Sequence, residues 1–165
     1  MSTTDMGALR RDLLLEQAID RHAATLVRLA TQAVLRLAGS KMKASQLRNA
    51  VNVANEDGSF DVIANFIRYK IATQEDSWGR EASSFGHTVI EHLQTKVRKE
   101  AEEAHSELLS QLEGEEQDRL KEQIYRAMMR RYFGYAVRAF AYYEKAKPNE
   151  KNDALQILQE AANVK

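Results

Sequence analysis

The sequence predicts an all-α fold: a single domain, residues 1–165, built as a helical bundle of five to six helices, two or three of them long. Composition is the first observation, because the chain has one proline and seven glycines and is rich in residues that lose little entropy on entering a helix. Periodicity is the second, since apolar residues recur at spacings of three and four along most of the chain. Length is the third, because 165 residues suit one hydrophobic core.

The segment 124–143 is predicted to be the central helix of this bundle. It contains seven of the twelve aromatic residues of the chain and four arginines. At about 100° per residue, the aromatic side chains fall on one half of the helix and the arginines on the other. A surface that stacks nucleobases needs rings and cations mixed on one exposed face. We therefore interpret the aromatic face as core and the arginine face as an outward strip that can meet phosphates or acidic side chains. Pro148 ends this helix, and a short last helix spans about 152–162.

The amino-terminal region is predicted to form one long amphipathic helix. It begins near Thr4 or Asp5, which are good N-cap residues, and runs to Ala38, where Gly39 stops it. Its apolar seam includes His22. A lone histidine on such a seam is more often a packed, hydrogen-bonded side chain than a metal ligand or a catalytic base.

Two shorter helices follow. Ser45 (or Ser40) is predicted to cap the first of them, which ends in a polar turn at Gly58. Ser59 is predicted to cap the second, which runs to Thr73 with its apolar side chains facing inward.

A polar connector, 74–80, separates these helices from two long ones. It contains Trp78, the only tryptophan, which we expect to fold back as a lid on the core. The next helix opens at Ser83 or Ser84, and the chain then turns at Gly114 to enter the central helix as its antiparallel neighbour. The glutamates of its expected outer face are Glu100, Glu102, Glu103 and Glu107.

The net charge is zero, but the charges are unevenly spread. Residues 1–50 carry eight Lys/Arg and four Asp/Glu, residues 124–147 carry six and one, and residues 99–123 carry three and nine. A polyanionic partner could use the basic surfaces. Neutralisation within one chain, or between copies of it, would produce the same pattern, so the sequence leaves both explanations open.

Composition also bounds the compartment and the partners. Without cysteine there is no disulfide and no thiolate metal site. The polar start, residues 1–5, lacks the layout of a secretory signal, so the cytoplasm is the expected compartment. No apolar run approaches the roughly 18 residues of a membrane span, so we expect a soluble chain without a membrane partner.

No catalytic or metal-binding motif is complete. His87 and His92 are five positions apart, about 140° around a helix, so they do not easily share one zinc ion. Glu102 and His105 form one Glu-x-x-His unit, whereas di-iron bundles need two. There is no glycine loop for phosphate and no Gly-x-Ser-x-Gly elbow. We therefore expect a binding protein that is not an enzyme and has no metal or cofactor.

The segment Ser45-Gln-Leu-Arg-Asn49, followed by Phe66-Ile-Arg-Tyr-Lys-Ile-Ala72, resembles the small-subunit family of type III CRISPR effector complexes. Members of that family have a Thr/Ser-Ser-Gln-Ile/Leu-Arg helix start, then a helix with basic and tyrosine residues, and a long helical remainder. The likeness covers about residues 44–80 and is architectural elsewhere. It implies an all-helical, non-catalytic subunit, present in several copies, stacked along a guide-RNA complex beside other effector subunits.

Such a subunit supports the guide and target strands through their backbones, which requires Lys and Arg on one face and no base readout. The first candidates match the family region: they are Arg48, Arg68 and Lys70. The second candidates are argued from charge alone: they are Lys41, Lys43, Arg130, Arg131 and Arg138. For each of them the alternative is a solvated side chain or a salt bridge between subunits.

The competing hypothesis is a protein-interaction module, such as an oligomeric scaffold or a chaperone bundle. In it, the acidic helix of one copy would meet the basic face of another, and no nucleic acid would be involved. A third hypothesis, a bundle enzyme, would require a bound metal or cofactor.

Overall fold

The computed structural model describes residues 2–163, which are all-helical, and this confirms the predicted fold class. Its α-helices are α1 (Thr3–Asp20), α2 (Ala23–Leu35), α3 (Ala44–Glu56), α4 (Phe60–Thr73), α5 (Glu75–Trp78), α6 (Phe85–Glu91), α7 (Arg98–Leu108), α8 (Gln117–Glu144) and α9 (Lys151–Ala162). The π-helical segment His92–Val97 joins α6 to α7 without a turn. The described residues therefore form eight separate helices, not the five to six that the sequence predicts. Within residues 2–163, no helix combines the length and the apolar composition that crossing a lipid bilayer requires.

The two additional helices arise where the sequence predicts a continuous helix and a simple connector. The long amino-terminal helix is interrupted at Arg21 and His22, whose N–H groups donate to the carbonyl oxygens of Gln17 and Ile19. The spacing of apolar residues continues across this interruption, so periodicity does not reveal it. The second addition is the one-turn helix α5, which forms inside the connector 74–80.

The start of α3 also differs from the prediction, because neither Ser45 nor Ser40 is its N-cap. The helix begins at Ala44, and the N–H of Lys43 donates to the side-chain oxygen of Gln46 at 2.9 Å. An amide side chain therefore holds this helix end in place of the expected hydroxyl.

Helix α8 is the centre of the fold and contacts α1, α2, α3, α7 and α9. The buried aromatic residues of segment 124–143 are Tyr125, Tyr132, Phe133 and Phe140. For these four side chains the predicted aromatic core face is confirmed. The other three are Tyr135 and Tyr143, which are partly exposed, and Tyr142, which is 48% exposed.

Trp78 closes the core between α4 and α6, as expected for a lid. Its ring is fully buried, stacks on Phe85 with the ring centroids 5.4 Å apart, and meets Phe66 edge-on at 6.3 Å. Gly79 follows with φ of 77°, and a Cβ atom at this position would lie 2.3 Å from the Cβ of Ser84. Only glycine therefore lets the chain turn here and bring Trp78 back over the core.

Candidate nucleic-acid interface

Three of the candidate cations lie at the start of α3, beside α5. Arg48 is exposed on α3, and Lys43 is exposed immediately before it. Lys41 is exposed as well, but its Nζ lies 3.8 Å from a carboxylate oxygen of Asp76, and its backbone N–H donates to the carbonyl oxygen of Asp76 at 3.0 Å. Within residues 2–163, no ion pair occupies the charges of Arg48 and Lys43, whereas Lys41 helps to hold α5 against the segment before α3.

Helix α4 presents the other two first candidates, Arg68 and Lys70, on different sides. Residues two positions apart are separated by about 200° on a helix, so these side chains leave opposite flanks of α4. Arg68 is exposed, and Lys70 is partly buried with its Nζ 5.5 Å from the ring centroid of Phe66 and 5.8 Å from that of Tyr69. Tyr69 is 61% exposed between them. Around the outward surface of α4, the ring of Tyr69 therefore lies between the cations of Arg68 and Lys70, so the helix has no single basic face.

The three candidate arginines of α8 have different surroundings. Arg131 donates from Nη1 to the carboxylate of Asp20 in α1, so its charge already holds two helices together. Arg138 is exposed, with its guanidinium carbon 5.9 Å from the ring centroid of Tyr135. Arg130 is exposed and forms no ion pair with any residue that the structure describes. The expected outward strip therefore contains Arg130 and Arg138, whereas Arg131 faces α1.

Two lysines that the sequence analysis did not select lie near Arg138. Lys145 and Lys147, just after the end of α8, line a groove between α8 and α9 together with Arg138. Glu150 and Asp153 line the same groove, so its charge is mixed. The signal was present in the sequence, because positions seven apart, such as Arg138 and Lys145, share one side of a helix.

Charge complementarity within the chain accounts for part of the uneven charge distribution. Arg11 donates from Nε to the carboxylate of Glu115 at 2.8 Å, and Arg21 donates from Nε to the carboxylate of Glu107 at 2.9 Å. Helix α1 therefore lies along the acidic helix α7 and the turn that follows it. Intramolecular neutralisation, one of the two explanations left open by the sequence, operates at these pairs. The acidic face that was expected to meet another copy is partly covered by the same chain.

His22 lies at the junction of α1 and α2, among carboxylates of α7. It is 7% exposed, its Nδ1 faces Oε2 of Glu100, and its Nε2 lies 3.1 Å from Oε1 of Glu107. The interpretation of His22 as a packed, hydrogen-bonded side chain is thereby confirmed. One ring nitrogen of His22 and one oxygen each of Glu100 and Glu103 lie within 4.8 Å of one another, so these residues could hold a metal ion.

The glutamates around His22 are ones that the sequence analysis assigned to an outer face. Glu100, Glu103 and Glu107 repeat at spacings of three and four and therefore share one side of α7. Burial raises the pKa of Glu107, but hydrogen bonds from Arg21 and His22 outweigh this effect, and the pKa lies below its ordinary value. The row of glutamates on α7 was visible in the sequence. Its partner His22, which lies 78 residues before Glu100, was not.

The candidate cations thus divide by their surroundings. Those that are exposed and form no ion pair among the described residues, and that do not lie against a ring, are Lys43, Arg48, Arg68 and Arg130. Lys70 and Arg138 lie against aromatic rings, and Lys41 and Arg131 are ion-paired. Comparisons with models of protein families, with curated proteins and with solved structures find no match to this chain.

Proposed function

We propose that this protein is a non-catalytic subunit of a CRISPR RNA-guided effector complex, in which it binds the sugar–phosphate backbones of the guide and target strands. The observation that carries the proposal is the position of Arg48 and Arg68. Both lie in the region of resemblance, 44–80, both are exposed, and neither is ion-paired within the described part of the chain. An arginine without a carboxylate partner can form charge-assisted hydrogen bonds to phosphate without first breaking a salt bridge.

The surroundings of the other candidate cations predict how much each one contributes to RNA binding. Lys43 and Arg130 are as accessible as Arg48 and should contribute similarly. Lys41 and Arg131 should contribute less, because a phosphate would have to compete with Asp76 or Asp20 for their charges. Because the net charge of the chain is zero, the attraction of RNA depends on local basic surfaces.

The proposal also covers the assembly. Several copies of this subunit would stack along the guide RNA in the cytoplasm, beside the other effector subunits. Backbone contacts suit such an arrangement, because they position a protein on a nucleic acid without reading its sequence. Every copy could then bind a different stretch of the same strand.

Charge reversal at Arg68 should weaken RNA binding without unfolding the bundle. For Arg48→Glu and Arg68→Glu we expect lower affinity for single-stranded RNA, and each lost phosphate contact should reduce the slope of log K against log salt by about 0.7. Both side chains are exposed, so the free energy of unfolding should change by less than about 0.5 kcal/mol. Fluorescence anisotropy between about 50 and about 200 mM salt measures the slope.

The matched control is Arg119→Glu, at an exposed position in the acidic segment near the start of α8. It makes the same change of charge outside the candidate surfaces and should leave RNA binding unchanged. If the wild-type protein, alone or with its co-purified partners, retains no RNA at about 50 mM salt, the nucleic-acid proposal must be abandoned.

A second candidate function, a protein-interaction module that acts without nucleic acid, is supported by an apolar row on α1. Met6, Leu9 and Leu13 recur at spacings of three and four and are 57%, 57% and 54% exposed. A scaffold could bury such a row against another chain. Association through complementary charges is less well supported, because Arg11 and Arg21 already neutralise Glu115 and Glu107 within one chain. Salt dependence distinguishes the two candidate functions, because salt weakens binding to the nucleic-acid backbone far more than it weakens apolar contact.

A further inference from the structure

The polar cluster around His22 has no role in the proposed function. Its members come from two distant parts of the chain: His22 from the junction of α1 and α2, and Glu100, Glu103 and Glu107 from α7. Because the three glutamates share one side of α7, this helix places three carboxylates opposite one buried imidazole.

Contacts with His22 account for only two of these glutamates. Glu100 faces Nδ1 of His22 and Glu107 faces Nε2, so each ring nitrogen has a carboxylate partner. Glu107 has a second partner in Arg21, at 2.9 Å. Glu103 has no hydrogen bond or ion pair from its side chain within residues 2–163, yet one of its oxygens lies within 4.8 Å of the Glu100 oxygen and of the ring nitrogen. Carboxylates this close repel each other unless a cation lies between them.

We propose that His22, Glu100 and Glu103 form a binding site for one divalent transition metal ion, such as Zn²⁺ or Mn²⁺. One imidazole nitrogen and two carboxylate oxygens make a donor set that such ions accept. Bonds of about 2.0–2.2 Å place the ligand atoms of a tetrahedral site about 3.4 Å apart. Nδ1 of His22 and the facing Glu100 oxygen already lie within hydrogen-bonding distance and would move slightly apart, whereas the Glu103 oxygen, up to 4.8 Å from them, would close by about 1.4 Å or less. Glu103 is exposed and can make this movement by changing its rotamer.

The surroundings of the imidazole fit this role. A metal-binding histidine usually donates its second ring N–H to a carboxylate, which fixes its tautomer and its orientation. With Nδ1 of His22 turned to the metal, Nε2–H donates to Glu107, 3.1 Å away, and Arg21 holds Glu107 from the other side. The charges also balance, because the ion offsets Glu100 and Glu103 while Arg21 offsets Glu107.

The bound ion would connect the junction of α1 and α2 to α7. Three protein ligands leave one position of a tetrahedral site for water, on the exposed side of Glu103. Because the ligands meet only in the folded chain, the ion would stabilise the folded state by mass action. This effect is independent of RNA binding.

The test measures whether a metal ion stabilises the protein through Glu103. Wild-type protein is treated with EDTA, dialysed and titrated with ZnCl₂ or MnCl₂, while the thermal midpoint and the bound metal are followed. We expect a single ion per chain and a rise in the midpoint of about 5 °C or more at a hundredfold excess over the Kd.

Two matched variants isolate the proposed ligand. Glu103→Gln leaves both contacts of His22 in place and removes the repulsion from Glu100, so the stability without metal should be at least that of the wild type, while metal affinity should fall at least about tenfold. Glu102→Gln, at the adjacent exposed position on another side of α7, should keep the full response. If the wild type gains no stability and retains no ion, or if Glu103→Gln responds as the wild type does, the metal site is refuted and His22 is a hydrogen-bonded structural residue.

Discussion

Replacing Trp78 with alanine should lower the free energy of unfolding by about 3–5 kcal/mol. The indole is fully buried, stacks on Phe85 and meets Phe66 edge-on. Alanine would lose these contacts and leave a cavity between α4 and α6. Urea unfolding followed by far-UV circular dichroism measures the effect, because Trp78 is the only tryptophan and its fluorescence disappears with the substitution.

Two further variants test why Trp78→Ala should lower the free energy of unfolding. The Nε1 atom of Trp78 is buried and has no hydrogen-bond partner within residues 2–163. Trp78→Phe removes that unpaired donor while it keeps most of the packing, so its cost should be about 2 kcal/mol or less. Tyr69→Ala removes a ring that is 61% exposed and should cost less than about 0.5 kcal/mol. If Trp78→Ala proved as mild as Tyr69→Ala, the position of α5 as a lid on the core would be wrong.

Acidification from about pH 7 to about pH 4 should destabilise the protein through His92. This side chain is 3% exposed and shares a 2.9 Å hydrogen bond with the hydroxyl of Tyr132. Burial, helped by the charge of Lys96 and opposed by that of Glu91, lowers the pKa of His92 from 6.5 to about 4. Protonation is therefore disfavoured as long as the chain stays folded.

The sign of the effect follows from which state binds the proton first. In the unfolded chain His92 has its ordinary pKa of 6.5, so below this pH the unfolded state gains a proton that the folded state excludes until about pH 4. The stability that neutral His92 allows is fully present above pH 6.5 and is lost as the pH falls toward about 4. The whole difference amounts to about 3 kcal/mol.

Urea unfolding of the wild type and of His92→Gln at about pH 7, 5.5 and 4.5 measures this contribution. Asp5, Asp57 and Glu107 have lowered pKa values and lose their own stabilisation as the pH falls through those values, but they do so in both proteins and cancel in the difference. His87→Gln, at a partly exposed position, serves as the control and should follow the wild type. A difference between the wild type and His92→Gln that stays constant with pH would contradict the prediction.

Features that depend on chemistry between near neighbours were predictable from the sequence. Gly39 and Gly58 adopt φ values of 80° and 78° at the predicted turns. Ser59 caps α4, as predicted, by accepting a hydrogen bond from the N–H of Val62 at 3.3 Å. In each case the whole interaction lies within a few residues of the chain, so the local sequence contains everything that stabilises it.

The interruptions of the helices were not predictable, because they leave the apolar spacing intact. Neither the junction at Arg21 and His22 nor the π-helical segment His92–Val97 breaks the apolar seam. At both places the side chains find their partners elsewhere in the fold: His22 in Glu100 and His92 in Tyr132. These partners are 78 and 40 positions away in the chain, beyond the reach of any periodic pattern.

From its residues alone, the chain was predictable as a helical protein with an aromatic central segment, 124–143, and with Arg48 and Arg68 among its candidate cations. Packing was needed to show which charges are free: it pairs Arg131 with Asp20, 111 positions away, and His22 with Glu100. The physical reason is that helical periodicity is a local property of the backbone. An ion pair depends instead on where two helices meet, and this is set by the packing of the whole core.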